Sequence, residues 1–220
     1  MAQKKLENLW QKGRKQMLND VTVFNIREYL SAKGDKDLGE DELRQLLSEF
    51  FCDKNPDVER FLKEQSIEFT KKNQSVTYLV FSNEDASLVG YFTITIKPIT
   101  VNAEDFSNTM KRKIARVSEL DEQNGTYTLS AYLIAQLGKN YKDGANEKIT
   151  GEQLLHAAVD TIKELQYMAG GMVIFLEAED NDKLMHFYED ENGFKQFDVR
   201  EMKCRDKDEI HKLVQLLKVM

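Results

Sequence analysis

The chain has 220 residues, of which 41% are hydrophobic and 31% charged, and its formal net charge is −7. That length suffices for an ordinary domain with its own hydrophobic core, and the balance excludes a disordered or fibrous chain. The longest apolar runs, such as Ser130–Ala135 and Met172–Leu176, are strand-sized and far short of the roughly 20 residues that span a bilayer.

From the N-terminus, residues 1–19 are lysine-rich, with Leu6, Leu9 and Trp10 at helical spacing, which predicts a short helix or an arm. No apolar block follows the early lysines, so a signal peptide is not expected. A helix is expected over Glu40–Phe50, with Leu43, Leu46 and Leu47 on one face. Asn55, Pro56 and Asp57 read as an N-cap, a proline at the first helical position and an acid in the first turn of a helix ending near Asn73. Val76–Phe81 and Leu88–Ile96, rich in β-branched and aromatic residues, form a hairpin across the polar turn Ser82–Ser87. Residues 103–118 look helical, and Thr126–Leu137 is a long strand. After a polar loop, Gly138–Thr150, the face Leu154, Leu155, Ala158, Val159, Ile162 and Leu165 marks a strongly amphipathic helix over 151–168. Gly170 and Gly171 would close it. Strand 172–178, helix 181–190 and strand 194–202 follow; Leu213–Met220 fits strand or helix. The order predicts an α/β fold, a mixed sheet with helices on both faces.

Cys52 and Cys204 lie in no CxxC pair and read as reduced thiols of a cytoplasmic protein. His156, His186 and His211 show no metal-ligand spacing, so no metal is expected. Net acidity disfavours a general nucleic-acid binder, which needs clustered Lys and Arg. The run Lys111, Arg112, Lys113 and Arg116 reads first as a solvated face and second as a contact for phosphate.

Two segments carry the chemistry. In the first, strand, loop and abrupt helix start leave main-chain amides unpaired where the helix dipole favours an anion. Leu133–Tyr141 followed by Gly151–Leu155 resembles the acetyl-CoA-binding motif of the GNAT superfamily. In the second, Phe175–Tyr188 followed by Asn192, Gly193 and Phe194 resembles that superfamily's other signature: a strand, an Asn, a helix carrying a Tyr, and a closing Gly-Phe. Farther upstream, Phe51–Leu62, Val76–Phe81 and Leu88–Thr93 are similar to a bacterial branch that includes toxins acetylating aminoacyl-tRNA. The matches fall in order over about residues 50–220.

The resemblance implies a mostly antiparallel, twisted GNAT-like sheet over residues 51–220; residues 1–50, outside it, read as a helical extension packed on or preceding that core, with no role assigned. It implies an N-acetyltransferase with acetyl-CoA as cosubstrate. The backbone of Leu137, Gly138 and Lys139 would pair with the pantetheine arm. Amides of Asn146, Glu147, Lys148, Ile149, Thr150 and Gly151 would hold the pyrophosphate, and Asn181 would belong to the same site. Asn146 replaces the family's Arg or Gln, and Ile149 its central Gly. Tyr188 would protonate the departing thiolate. The amine must also lose a proton. Glu177 and Glu179 share one face of their strand by alternation, so the pattern does not choose between them as base. The acceptor amine, whether on a small molecule, a protein or an aminoacyl-tRNA, is not named by the sequence. A non-catalytic binding module is the remaining alternative. A homodimer is expected only by family analogy, and no membrane partner is expected.

Overall fold

The computed structural model describes residues 15–18, 20–31, 39–203 and 210–220. The chain divides into two compact units. One comprises Met1–Thr95 and Ala135–Glu164, the other Ile96–Ile134 and Leu165–Met220.

In the first unit, β1 (Lys15–Leu18), β2 (Val21–Asn25), β3 (Val76–Ser82) and β4 (Leu88–Asn102) pair antiparallel in that order. The expected hairpin is β3–β4, with a register shift between Val80 and Phe81. Helices α1 (Arg27–Ser31) and α2 (Glu40–Ser48) follow β2. The expected helical extension is thus corrected within its described residues. Val21, Thr22, Val23 and Phe24 are β-branched or aromatic, and they extend the sheet as a strand whose Phe24 sits opposite Leu79. The helix proposed over residues 1–19 falls mostly outside the described residues, and its last part is β1.

The cap at Asn55 is as expected. Its side chain accepts from the Asp57 and Val58 amides, and Pro56 opens α3 (Pro56–Arg60). A π turn, Phe61–Gln65, joins α3 to α4 (Ser66–Lys71). Phe24, Leu43, Leu47, Phe50, Leu62, Leu79 and Tyr91 form the buried centre of this unit. Burial of each such side chain contributes on the order of 1.5–3 kcal/mol. Tyr91 donates its hydroxyl to the Val58 carbonyl at 2.5 Å, and Phe50 meets its ring edge-on at 5.1 Å.

In the second unit, helix content between residues 103 and 118 is smaller than expected: a short 3₁₀ turn, Ala103–Asp105, and α5 (Asn108–Ile114). Only Ile114 of α5 is buried, so one apolar anchor supports one or two turns. β5 (Leu120–Asp121) pairs with β6 (Thr126–Lys139). β6 runs parallel to β7 (Val173–Glu179) over three pairs, from Tyr132–Ile174 to Ile134–Leu176. β7 pairs antiparallel with β9 (Ile210–Val219) along its whole length, and β9 with β8 (Lys195–Lys203). The ambiguous C-terminal segment is therefore a strand, seated between two others. Helix α6 (Gly151–Ala169) links β6 to β7 and ends at Gly170, whose φ of 77° suits a residue without Cβ. β4, β6 and α6 each contribute residues to both units. Cys204 lies outside the described residues, and no helix among those described is long and apolar enough to cross a membrane.

Candidate functional site

The sequence-predicted residues fall into two groups, one in each unit. In the first unit, Leu137, Gly138 and Lys139 are the last residues of β6. Gly138 is required by packing, not by its dihedrals: a Cβ there would lie 2.4 Å from Cγ1 of Val58. Lys139 is half-buried, and loss of solvent, with the nearby Lys54 ammonium, holds its pKa below the usual lysine range. The next residue, Asn140, is buried and binds three stretches of chain. Its Oδ1 accepts from the amides of Phe51 (2.9 Å) and Lys142 (3.1 Å), and its Nδ2 donates to the carbonyls of Leu88 (2.8 Å) and Glu49 (3.4 Å). Tyr141 follows, with the Lys54 ammonium 4.6 Å from its ring centroid.

The loop itself is a 3₁₀ segment, Lys142–Lys148, that kinks through left-handed Asp143 and Gly144 (φ 50° and 75°). Asn146, Glu147 and Lys148 lie on its accessible side, whereas Ala145 and Ile149 are buried. Ile149 has extended backbone (φ −146°, ψ 138°) and is buried, so its side chain anchors the loop inward. Lys148 is hydrogen-bonded to Asp85 and, at 3.2 Å, to Ser87 Oγ. The Lys148 and Ser87 donors hold the Asp85 carboxyl at about 2.

At the start of α6 stands a capping box the sequence reading overlooked. Gln153 Oε1 accepts the Thr150 amide at 2.8 Å, and Thr150 Oγ1 accepts the Gln153 amide at 3.0 Å. The helix start therefore offers an anion the Gly151 and Glu152 amides; the Thr150 amide, counted among the phosphate donors, is engaged with Gln153. The Thr-x-x-Gln spacing was a legible signal for this.

In the second unit, Asn181 caps α7 (Asp182–Met185), its Oδ1 accepting the Lys183 amide at 2.9 Å. A second π turn, His186–Glu191, continues the helix. It carries Tyr188 in its middle. Such turns are frequent at functional sites. The Tyr188 ring lies between Phe187 (5.0 Å, 68°) and Phe194 (6.0 Å, 75°). Its carbonyl accepts the Phe194 amide at 2.9 Å, across Gly193 at φ 68°. Although the residue as a whole is half-buried, burial around the phenol pushes its pKa up to about 12.

The two candidate bases have different surroundings. Glu177 is half-buried and lines a groove of about 360 Å³; its Oε1 accepts from Gln215 Nε2 at 2.6 Å and lies 3.4 Å from Arg200 Nη1. Glu179 is exposed and opposite Leu213. Gln215 and Arg200, which hold Glu177, were not legible because strand pairing alone brings them there. His186 is exposed and paired with Asp190 at 2.7 Å, and His156 is exposed. Cys52 is buried, and burial pushes its thiol up, away from the reactive thiolate. Among the described residues, no group of three or more His, Cys, Asp or Glu is placed to hold a metal.

No family model and no curated protein matches the sequence. Solved structures do match. AtaT complexed with acetyl-methionyl-tRNAfMet is 16% identical with a TM-score of 0.56, over 89% of this chain and 94% of that one. A tyrosine-to-phenylalanine mutant of KacT is 17% identical with a TM-score of 0.58, over 91% and 95%. A tyrosine-to-phenylalanine mutant of the AtaT toxin, bound to the C-terminus of the antitoxin AtaR and acetyl-CoA, is 15% identical with a TM-score of 0.52, over 91% and 94%. This chain therefore has the GNAT-like fold its sequence suggested.

Proposed function

We propose that this chain is an acetyl-CoA-dependent N-acetyltransferase. The observation that carries the reading is Tyr188, clamped between two rings on a π turn, in a fold shared with a toxin solved with acetyl-CoA. The residues present suit the cosubstrate. Ile149 turns its side chain inward, Gly138 lets the end of β6 close against Val58, and Gly151 and Glu152 stand in the first turn of α6, at the positive end of its dipole.

Acetyl-CoA, when bound, supplies an acetyl thioester for attack by an amine. In this reading the loop amides hold its pyrophosphate and the backbone of Leu137, Gly138 and Lys139 its pantetheine arm, with Asn181 supporting Tyr188 as helix cap. A Leu137 backbone amide would steady the oxyanion. The charge that then grows on sulfur is met by the Tyr188 hydroxyl. A phenol at about 12 keeps its proton against a thiol near 8.5, so complete transfer from Tyr188 is uphill. Its contribution is a hydrogen bond that strengthens as the sulfur becomes negative. Glu177 is the better placed of the two carboxylates to receive the proton the amine sheds, because it lines a groove.

A second reading fixes the acceptor as an aminoacyl-tRNA, favoured by the AtaT complex with acetyl-methionyl-tRNAfMet. On α5, Arg112, Lys113 and, just beyond, Arg116 are exposed and lie in no ion pair described, so they remain available to phosphate. A homodimer in the cytoplasm completes the proposal and is checked by sedimentation. The decisive experiment is calorimetric titration with acetyl-CoA, alongside thiol release over a panel of amines and aminoacyl-tRNAs. Micromolar binding with amine-dependent thiol release is expected. Absence of binding at millimolar acetyl-CoA would leave a GNAT-shaped binding module.

A further inference from the structure

Three lysines flank the stretch of the first unit assigned to acetyl-CoA: Lys139, Lys142 and Lys148. Two are engaged. Lys142 pairs with Glu49, and that carboxylate raises its pKa and keeps the ammonium charged; Lys148 pairs with Asp85. Lys139 differs. Its side chain makes no hydrogen bond and no ion pair among the described residues, in a chain with 38 acidic residues. Gly138 faces inward, where a Cβ would meet Val58, so strand alternation turns Lys139 to the opposite face of β6. There it is half-buried, and the charge that acts on it is a second ammonium, Lys54, seated over the Tyr141 ring at 4.6 Å. Loss of solvent and, after it, this like charge lower the Lys139 pKa, which enlarges the share of neutral, nucleophilic amine.

We propose that Lys139 is a self-acetylation site, its Nζ taking the acetyl group from acetyl-CoA bound to the same chain. The inference rests on the acetyltransferase reading for its donor, whose pantetheine arm that reading runs along the backbone of Leu137, Gly138 and Lys139. A lysine side chain is a flexible four-carbon stem, so an amine rooted beside the arm can swing along it to the thioester. The neutral Lys139 amine attacks the thioester carbonyl carbon; a C–N bond forms and the C–S bond breaks. The nitrogen gives one proton to water, and the departing thiolate takes one up. The products are an N-acetyl-lysine amide and the free thiol of coenzyme A, with no oxidant, reductant or further reactant consumed. The amide is neutral, so the modification also ends the repulsion between Lys139 and Lys54.

The full chain is incubated with acetyl-CoA and no acceptor amine, and acetyl-lysine is mapped over time by peptide mass spectrometry. Lys139 should be labelled about tenfold or more faster than Lys54, Lys142 or Lys148, the advantage of a positioned donor over a diffusing one. Its rate should saturate with acetyl-CoA and stay the same when the protein is diluted. S-acetyl-N-acetylcysteamine, a thioester without the nucleotide, should show no such preference for Lys139. Lys139→Arg should remove the fast acetyl group from the intact mass. A second readout needs no transfer: coenzyme A, which carries no acetyl group, should shield Lys139 from N-hydroxysuccinimidyl acetate and leave Lys72, exposed at the end of α4, reactive. Labelling of Lys139 no faster than its neighbours, the same preference with the truncated thioester, a fast label that persists in Lys139→Arg, or absence of shielding by coenzyme A overturns the proposal. Calorimetric titration of the same sample with acetyl-CoA keeps the two ideas apart. Binding without selective labelling strikes Lys139 alone, whereas absence of binding removes the acetyltransferase reading and the modification with it.

Discussion

The loop from Asn140 to Thr150 and the helix that carries Tyr188 are held in place by different means. The loop is tied by polar side chains to distant stretches, Asn140 to Glu49, Phe51 and Leu88 and Lys148 to Asp85, and only its end is closed locally, by Thr150 with Gln153. The Tyr188 turn is held by ring contacts with Phe187 and Phe194, a local cap at Asn181 and a glycine turn at Gly193. A site that reads a phosphate through amides needs fixed backbone, and long-range hydrogen bonds fix backbone. A site that delivers one hydroxyl needs a fixed ring, and aromatic packing fixes rings.

This contrast can be broken from either side. The largest effect should follow Tyr188→Phe: the rings still pack, and kcat for thiol release should fall about 10²-fold or more while the acetyl-CoA Kd stays unchanged. Loss of affinity instead would assign the hydroxyl to binding. Next in size, Asn140→Ala leaves buried amides and carbonyls unpaired and should cost roughly 2–3 kcal/mol in urea unfolding. It should also weaken acetyl-CoA binding, which a purely structural effect elsewhere would not do. Gly138→Ala pushes a methyl group against Val58 and should cost about 1–3 kcal/mol. Adding Val58→Ala should recover part of that loss, a coupling a double-mutant cycle would detect. Thr150→Ala removes half of the capping box, for about 1 kcal/mol, with a matching drop in midpoint.

The pH response sharpens the comparison further. Asp85 is depressed to about 2, so its link to Lys148 contributes stability above the unfolded carboxyl's value near 4 and loses it as pH falls toward 2. Burial raises Tyr188 to about 12, and it pushes Tyr29 and Tyr91 up as well. Between pH 10 and 12 the folded state then binds more protons than the unfolded chain, and stability falls as pH rises. Acid should loosen the loop first, seen as faster amide exchange over residues 142–149. Alkali should destabilise the fold as a whole, and thiol release should show no falling limb from Tyr188 below about pH 10.

Local signals were read well. Asn55-Pro56 names a cap and a first helical residue, the apolar face of α6 names its length, and Gly170 names its end, because each is decided within a few residues. The β1–β2 hairpin escaped notice although Val21–Phe24 are strand formers, since a five-residue strand gives little periodicity to count. Asn140 was invisible as a junction because two of its partners lie 89 and 52 residues away. Glu177 and Glu179 could not be separated by alternation, which puts them on one face. What distinguishes them is the groove formed by β4, β6, β7, β8 and β9, which no local pattern contains.

One consequence of the π turn at His186–Glu191 concerns chain length. An extra residue inserted into a regular α-helix rotates everything beyond it by about 100°. A wide turn absorbs that residue on the spot, so the cap at Asn181 and the glycine at Gly193 keep their geometry on either side. The segment bearing Tyr188 is thus where this chain can gain or lose a residue without disturbing its flanks. Any alignment with shorter homologues should place its gap between Tyr188 and Gly193, and not in the loops.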